Sequence, residues 1–375
     1  MSDIQLTYFG ILRAPTSWAK VGREMVEALV RLGVDLNIYE RKGFLYNPGL
    51  PLPRSVERRI TQSFRHDVVF TFEHPSNYHY LQGRYTVGLL TYESTVVPPR
   101  WIENAQRFLD LLLLPSEFCR DLFLRAGMSA DNLFVLPYGY RPEIYHKNPP
   151  SISGCRDTFR FLSVASPHKR EGLDVLLKAY ASAFTARDET ELVIKLNYLP
   201  KTKSKPFEQP KLVALVDDLQ SRKNAPKIQL IDAFLSETEM ANLYRSASCF
   251  VSATRGEGFG MAFLEALACG LPMIATGWGG HLDFLNSNNA RLVAYRLVQA
   301  KEIQYDCQDA QALIAEPDPA DLVHHMRSTY KERESGSRSK KDDESDLEAY
   351  TWTRIAQRFI EVVGIHYHTH RKKRN

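Results

Sequence analysis

The chain has 375 residues, enough for two domains, and its 44% hydrophobic and 25% charged residues are the balance of an ordinary globular protein. A formal net charge of +4 is too small to argue for nucleic acid, and no nucleic acid is expected as a partner. Five scattered cysteines, Cys119, Cys155, Cys249, Cys269 and Cys307, form no C-x-x-C pair, which argues against a disulfide framework or zinc site and for a reduced compartment.

The opening stretch has no basic segment followed by an apolar run, so a signal peptide is not expected. No apolar run approaches the roughly 20 residues that cross a bilayer. The expected location is cytoplasmic, with room for a peripheral contact at the inner face of the membrane. Ile4–Phe9 reads as a strand that Gly10 ends. Val21–Leu32 carries Val21, Met25, Leu29 and Leu32 at helical spacing, Gly33 stops it, and Val34–Tyr39 is the next strand. A strand, helix, strand unit of this kind makes a parallel sheet. Further strands are expected at Asp67–Phe72, Tyr85–Thr91, Asp110–Leu114 and Leu133–Leu136, and Ser116 caps a helix over Glu117–Ala126 that Gly127 ends.

The breaker-rich run Pro149, Pro150, Ser151, Ser153, Gly154 places a domain boundary, giving domains at 1–149 and 150–351, the first completed by a C-terminal helix at 352–375. Alternation then resumes. Strands are expected at Phe159–Val164, Glu191–Leu196, Ile228–Ile231, Cys249–Ser252 and Met273–Thr276, and helices at Leu173–Phe184 and Gly260–Ala268. Ser236 and Glu239 stand at capping-box spacing ahead of a helix through Tyr244. Ser335–Ser345 is polar and reads as a mobile loop, and Leu347–Val363 as a last helix. The basic tail from His366 to Asn375, with His366, His368 and His370 alternating, reads as a solvated terminus rather than a metal site.

Chemistry concentrates between Cys249 and Asp283. A buried strand runs into the turn Gly256-Glu257-Gly258-Phe259-Gly260, and a helix opens directly after it. Glycines there let the backbone approach a ligand closely. The first amides of a helix, at the positive end of its dipole, suit an anion such as phosphate. Glu257 lies in the turn and Glu265 inside the helix beside its apolar residues. A carboxylate so placed needs hydrogen-bond donors, and sugar hydroxyls are such donors. A second turn, Gly277-Trp278-Gly279-Gly280, follows the next strand, at the carboxyl edge where open α/β sheets bind ligands. The competing reading is an ordinary βαβ unit whose glycines only make tight turns.

The run Gly256 to Gly260, then Leu264-Glu265-Ala266 and Cys269-Gly270-Leu271-Pro272, with seven residues between the two acids, resembles the two-glutamate motif of retaining glycosyltransferases. The best match is glycosyltransferase family 4, and the resemblance extends over Val87–Tyr145, Ser236–Ser252 and Glu316–Arg327. It implies an α/β protein with two Rossmann-like doubly wound domains facing each other across a cleft, the GT-B fold. It further implies transfer of a hexose, with retention, from a UDP- or GDP-linked donor to a saccharide, lipid-linked or other hydroxyl acceptor. Glu257 would hold hydroxyls of the donor sugar and Glu265 the ribose. The backbone around Gly258, Phe259, Gly260 and Met261 would contact sugar and phosphate.

The family also supplies an Arg after the first strand of the second domain and a Lys just before a Gly. Here Ala165 stands near the Arg position and Glu171 precedes Gly172, so Lys169, Arg170 and Lys195 are the nearest cations. The acceptor loop maps to Gly10–Lys20, with Gly10, Arg13, Ser17 and Trp18 as contacts. Where many members place a His, this chain has Leu90-Thr91-Tyr92-Glu93, which makes Glu93 a candidate to face the sugar and His74 and His168 weaker ones. No Asp-x-Asp follows a strand, so neither a metal nor another cofactor is expected, and Asp306, Asp309, Asp342 and Asp343 read as surface. A Rossmann dehydrogenase is disfavoured because Gly10 stands alone after the first strand. A sugar epimerase or phosphorylase of the same fold is disfavoured by the spacing of the two acids. A non-catalytic sugar-nucleotide-binding subunit is the remaining alternative.

Overall fold

The computed structural model describes residues 4–43, 45–147, 158–197, 209–300, 303, 309–335 and 347–374. The boundary run Pro149–Gly154, most of the polar stretch ending at Ser345, Cys155, Cys307, Asp306, Asp342 and Asp343 lie outside those residues. The chain divides into two compact units, one of residues 1–92, 96–139 and 348–375, the other of residues 93–95 and 140–347.

The first unit alternates β1 (Gln5–Gly10), α1 (Ser17–Arg31), β2 (Asp35–Glu40), α2 (Arg54–Glu57), β3 (Ile60–Thr61), β4 (Val68–Thr71), β5 (Tyr85–Leu89), α3 (Pro99–Phe108), β6 (Leu111–Leu114), α4 (Glu117–Arg125) and β7 (Leu133–Val135). Its seven strands run parallel in the order β3-β2-β1-β4-β5-β6-β7. The order reverses beside β1, the switch point at which doubly wound sheets open a crevice. Both faces are covered, so β4, β5 and β6 are buried at every position rather than at alternate ones. Thr16 caps α1 and Ser116 caps α4, each side chain accepting from a backbone amide three residues on.

The second unit contains β8 (Phe159–Ala165), α5 (Leu173–Ala183), β9 (Thr190–Leu196), α6 (Gln209–Ser221), β10 (Lys227–Ile231), α7 (Glu237–Arg245), β11 (Cys249–Ser252), α8 (Met261–Ala268), β12 (Met273–Thr276), β13 (Ala290–Val293), β14 (Tyr295–Gln299), β15 (Leu313–Pro317) and α9 (Pro319–Ser335). Six strands form a parallel sheet in the order β10-β9-β8-β11-β12-β13, again with a reversal beside the first strand. The remaining two, β14 and β15, pair antiparallel as a separate hairpin. Phe161, Tyr180, Phe184, Ile194 and Val251 lie in the core between this sheet and its helices. The capping box forms as its spacing requires, Ser236 bonding the Glu239 amide and Glu239 bonding back.

The chain ends in α10 (Trp352–Arg374), which belongs to the first unit. This corrects the expectation of a solvated basic tail, because the helix continues past Val363. Phe359 packs on Phe70 at 4.6 Å, His366 on Phe134 at 4.6 Å and His370 on Tyr85 at 5.2 Å. His366 and His370 are ring partners of the sheet, whereas His368 is exposed. No helix of the described residues is long and apolar enough to cross a membrane.

Candidate active site

The carboxyl ends of β8 and β11 bracket the switch point of the second sheet, and the groups described here gather there. The fully buried β11 leads into Ala253, Thr254 and Arg255. Thr254 fastens the turn, its hydroxyl lying 3.2 Å from both the Gly256 amide and the Gly256 carbonyl. Arg255 then anchors it. Its guanidinium donates to both oxygens of Glu316 (2.5 and 3.0 Å), to both of Asp174 (2.9 and 3.1 Å) and to the Lys169 carbonyl. A planar fork of five donors is matched here to two carboxylates, geometry that a lysine does not offer. Arg255 was not singled out from the sequence; its signal is a lone cation immediately before the glycine turn.

Beyond Arg255 the turn Gly256–Gly260 opens α8. Phe263 and Leu264 both donate back to the Gly260 carbonyl, so the Met261 and Ala262 amides precede the first intrahelical bond and mark the positive end of the helix. Phe259 is buried and packs on Phe284 at 5.3 Å, which anchors the turn. Glu265, 5% exposed, accepts from the Tyr244 hydroxyl at 3.1 Å. Burial and this carboxylate raise the Tyr244 phenol well above its ordinary value, so it remains a donor.

The second glycine turn is backed onto the first. Gly280 donates to the Glu257 carbonyl at 2.6 Å. Gly279 has φ 125°, and a Cβ there would stand 2.9 Å from the Glu257 carbonyl oxygen. Gly279→Ala is therefore expected to destabilise the second unit by about 1–3 kcal/mol, from left-handed backbone and steric contact together, and to displace Glu257. Urea unfolding of the variant checks the first, and hydrogen exchange across the Gly256–Gly260 turn the second. Gly172, with φ 65°, is equally constrained, since a Cβ would fall 1.8 Å from the Ala253 carbonyl oxygen. This close approach brings the segment after β8 against the turn.

That segment is a 3-10 turn, Lys169–Glu171, and its geometry separates the two candidate cations. Arg170 is buried. It donates to the Gly256 carbonyl and, at 2.9 Å, to Glu171, and its Nη1 lies 3.7 Å from Oε1 of Glu257. Lys169 is exposed and contributes its carbonyl to Arg255 instead. Lys195 is 4% exposed, with its ammonium donating to the neighbouring Leu196 carbonyl, so it closes the end of β9. Glu93 belongs to this unit. It is 6% exposed, and its carbonyl backs Gly256 so closely that a Cβ there would come within 2.6 Å.

Two acids, Glu171 and Glu257, thus flank one guanidinium, and the charge of Glu93 acts on both of them. Burial, then the charges of Glu171 and Glu93, push the Glu257 carboxyl up to about 8 against the opposing pull of Arg170. Burial and Glu93 likewise raise Glu171, opposed by Arg170. His168, 3.8 Å from Glu171, is driven down to about 3 by burial and Arg170, and is neutral. His281 is also neutral, lowered to about 4 by burial, with its Nε2 2.8 Å from the Thr276 carbonyl and its ring stacked on Phe263. A helix terminus suited to an anion, an arginine and a proton-holding carboxyl therefore share one small volume. Such a group can bind hydroxyls while a leaving phosphate is stabilised beside it. Among the described residues no group of three or more His, Cys, Asp or Glu is placed to hold a metal ion.

In the first unit Gly10 ends β1 and Ser17 begins α1, exposed. Trp18 is half-buried and stacks on Phe72 at 4.7 Å. Arg13 is held by Glu40 and, at 2.7 Å, by Glu57, so its guanidinium ties β1 to β2 and α2. His74 caps a 3-10 turn and packs on Trp101.

Residues 158–331 match the family model described as glycosyl transferases group 1. Over 179 residues the chain is 27% identical to alpha-monoglucosyldiacylglycerol synthase of Streptococcus pneumoniae, covering 45% of this chain and 38% of that protein. Over 132 residues it is 30% identical to mannosylfructose-phosphate synthase of Agrobacterium fabrum, covering 35% and 24%. The matched stretch is thus well under half of either relative. Among solved structures, sucrose-phosphate synthase from Thermosynechococcus elongatus superposes with a TM-score of 0.73 at 14% identity over 98% of this chain and 100% of that one. Anabaena HepE in complex with UDP and glucose gives 0.68 at 13% identity over 96% and 99%. Residues 158–331 thus match the glycosyl transferases group 1 model, in a chain that has the GT-B fold.

Proposed function

We propose that the protein is a retaining glycosyltransferase of family 4 that moves a hexose from a UDP- or GDP-linked donor to a saccharide, lipid-linked or other hydroxyl acceptor, without a metal ion. The observation that carries this reading is the joining of Glu257, Arg170 and the start of α8 in one turn, with Glu265 one helical turn further on. The diphosphate lies at the helix terminus and Arg170 balances the charge that grows as the sugar leaves. Glu257 holds sugar hydroxyls, and Glu265 takes the ribose hydroxyls. The anomeric carbon passes through an oxocarbenium-like state. The C1–O bond to phosphate breaks, the acceptor oxygen bonds C1 on the same face, and the departing phosphate takes the acceptor proton. The acceptor contacts lie in the first unit, around Gly10, Ser17 and Trp18.

Glu265→Gln is expected to weaken nucleotide binding about tenfold, since a neutral amide accepts more weakly from ribose hydroxyls and presents donors in place of one acceptor. Calorimetric titration with UDP and GDP measures this. The function itself is tested by thermal shift and donor hydrolysis across UDP- and GDP-sugars, with and without chelator. A stabilising nucleotide with slow, chelator-insensitive sugar release supports the reading. Binding without release or transfer to any acceptor favours the alternative of a non-catalytic sugar-nucleotide-binding subunit, which the carboxylate of Glu171 beside Arg170 makes a specific rival.

A further inference from the structure

Glu265 sits on α8 among the buried Phe263, Leu264, Ala266 and Ala268. Such packing confines its methylenes, but the last torsion of a glutamate turns between broad minima, so packing does not set the plane of the carboxylate. A hydrogen bond does. The Tyr244 hydroxyl donates to Oε2 of Glu265 at 3.1 Å. Tyr244 is itself firmly held. It is fully buried, with its ring edge-on to Tyr145 at 6.0 Å and 6.2 Å from Phe250 of β11. Its helix α7 carries Glu237 in the first turn and Tyr244 in the last, two turns apart and so on one face. The segment ahead of β8 clamps α7 at both ends. The Tyr145 hydroxyl donates to Glu237 at 2.6 Å, and Arg245 donates to the Ile144 carbonyl at 2.8 Å.

We infer that Tyr244 is a positioning residue for nucleotide recognition: its hydroxyl orients the Glu265 carboxylate toward the ribose diol, an inference that rests on the donor reading above. A carboxylate has lone pairs for about four hydrogen bonds, so one from Tyr244 and two from a vicinal diol are compatible. Burial and the charge of Glu265 hold the Tyr244 phenol well above its ordinary value, so it donates at any working pH. The ribose is remote from the reacting carbon, and its contacts are the same before and during transfer. Tyr244 therefore acts on donor affinity and not on the chemical step.

Calorimetric titration of the full chain with UDP, GDP and the 2′,3′-dideoxy form of each tests this. The unaltered protein is expected to bind one ribonucleotide at least about tenfold more tightly than its dideoxy form, because the analogue leaves a buried carboxylate short of donors. Tyr244→Phe keeps the ring and its packing and removes only the hydroxyl. It should weaken the ribonucleotide about fivefold, leave the dideoxy form unchanged, and raise the donor KM by the same factor with kcat altered less than about twofold. Tyr180→Phe is the control for a lost buried phenol, since its hydroxyl meets Thr190 at 3.0 Å in the core of the same unit. It should change neither affinity. An equal loss for both nucleotide forms in Tyr244→Phe would show that Tyr244 acts only through the fold, and an unaltered preference for ribose would show that Glu265 needs no positioning. Either result overturns the inference and keeps the donor reading. An unaltered protein that binds neither nucleotide, or binds both forms equally, would overturn the donor reading and the inference with it.

Discussion

Glu257→Gln is expected to lower kcat for sugar transfer by about 10²–10³, with nucleotide affinity changed far less, because the lost contacts are to the sugar and are strongest as its charge develops. The pH profile sharpens this test. With its carboxyl pushed up to about 8, Glu257 is largely protonated at neutral pH. The ionised form accepts more hydroxyl hydrogen bonds, so turnover should rise as pH passes about 8. Glu171→Gln removes one of the charges that hold Glu257 protonated, so the rising limb should move to lower pH. An unmoved limb would mean that another group governs it. Stability carries the same signature. The folded value of about 8 lies above the ordinary 4.5, so this carboxyl stabilises the fold fully below 4.5 and loses that contribution as pH climbs through about 8. The Tm of the unaltered protein should therefore fall across that window more steeply than the Tm of Glu257→Gln.

The largest structural effect is expected at Arg255. Its side chain is 7% exposed and bridges Asp174 and Glu316, which are 47% and 25% exposed. Removing one partner of a fully buried ion pair costs about 3–5 kcal/mol. Solvent screens the carboxylates here, so Arg255→Ala should cost about 2–3 kcal/mol. For a unit of this size that lowers Tm by roughly 5–10 °C. Arg255→Lys should recover little, since the three donors of an ammonium cannot replace the five hydrogen bonds of the planar guanidinium. The loss should also reach the proposed donor site, because Arg255 holds the Lys169 carbonyl and its amide bonds the Arg170 carbonyl at 2.7 Å. A variant with unaltered stability and unaltered nucleotide affinity would show that the anchor is dispensable.

The local signals in the sequence were strong where each segment's state depends on its own residues. Helical spacing at Val21, Met25 and Leu29, caps at Ser116 and Ser236, and glycines after β1, β11 and β12 follow from backbone geometry and apolar periodicity, which need no partner. They suffice for an α/β chain with parallel sheets and for a glycine turn flanked by two acids. Segments lacking such periodicity were missed. The hairpin β14 and β15 pairs exposed Tyr295 and Leu297 outside the main sheet, and α6 carries only a weak apolar stripe.

Tertiary packing decided the rest. Lys169 and Arg170 are neighbours with equal claim on a phosphate, and only the 3-10 turn sends one inward and the other to solvent. Arg13 reads as a loop cation until β2 and α2 place Glu40 and Glu57 beside it. His366 and His370 read as a solvated tail until the first sheet offers Phe134 and Tyr85 to pack against. The proton on Glu257 depends on Glu93 and Glu171, which lie 164 and 86 positions away along the chain. Charge pairing and desolvation act through space, so residue type and spacing name the candidates while the fold selects among them.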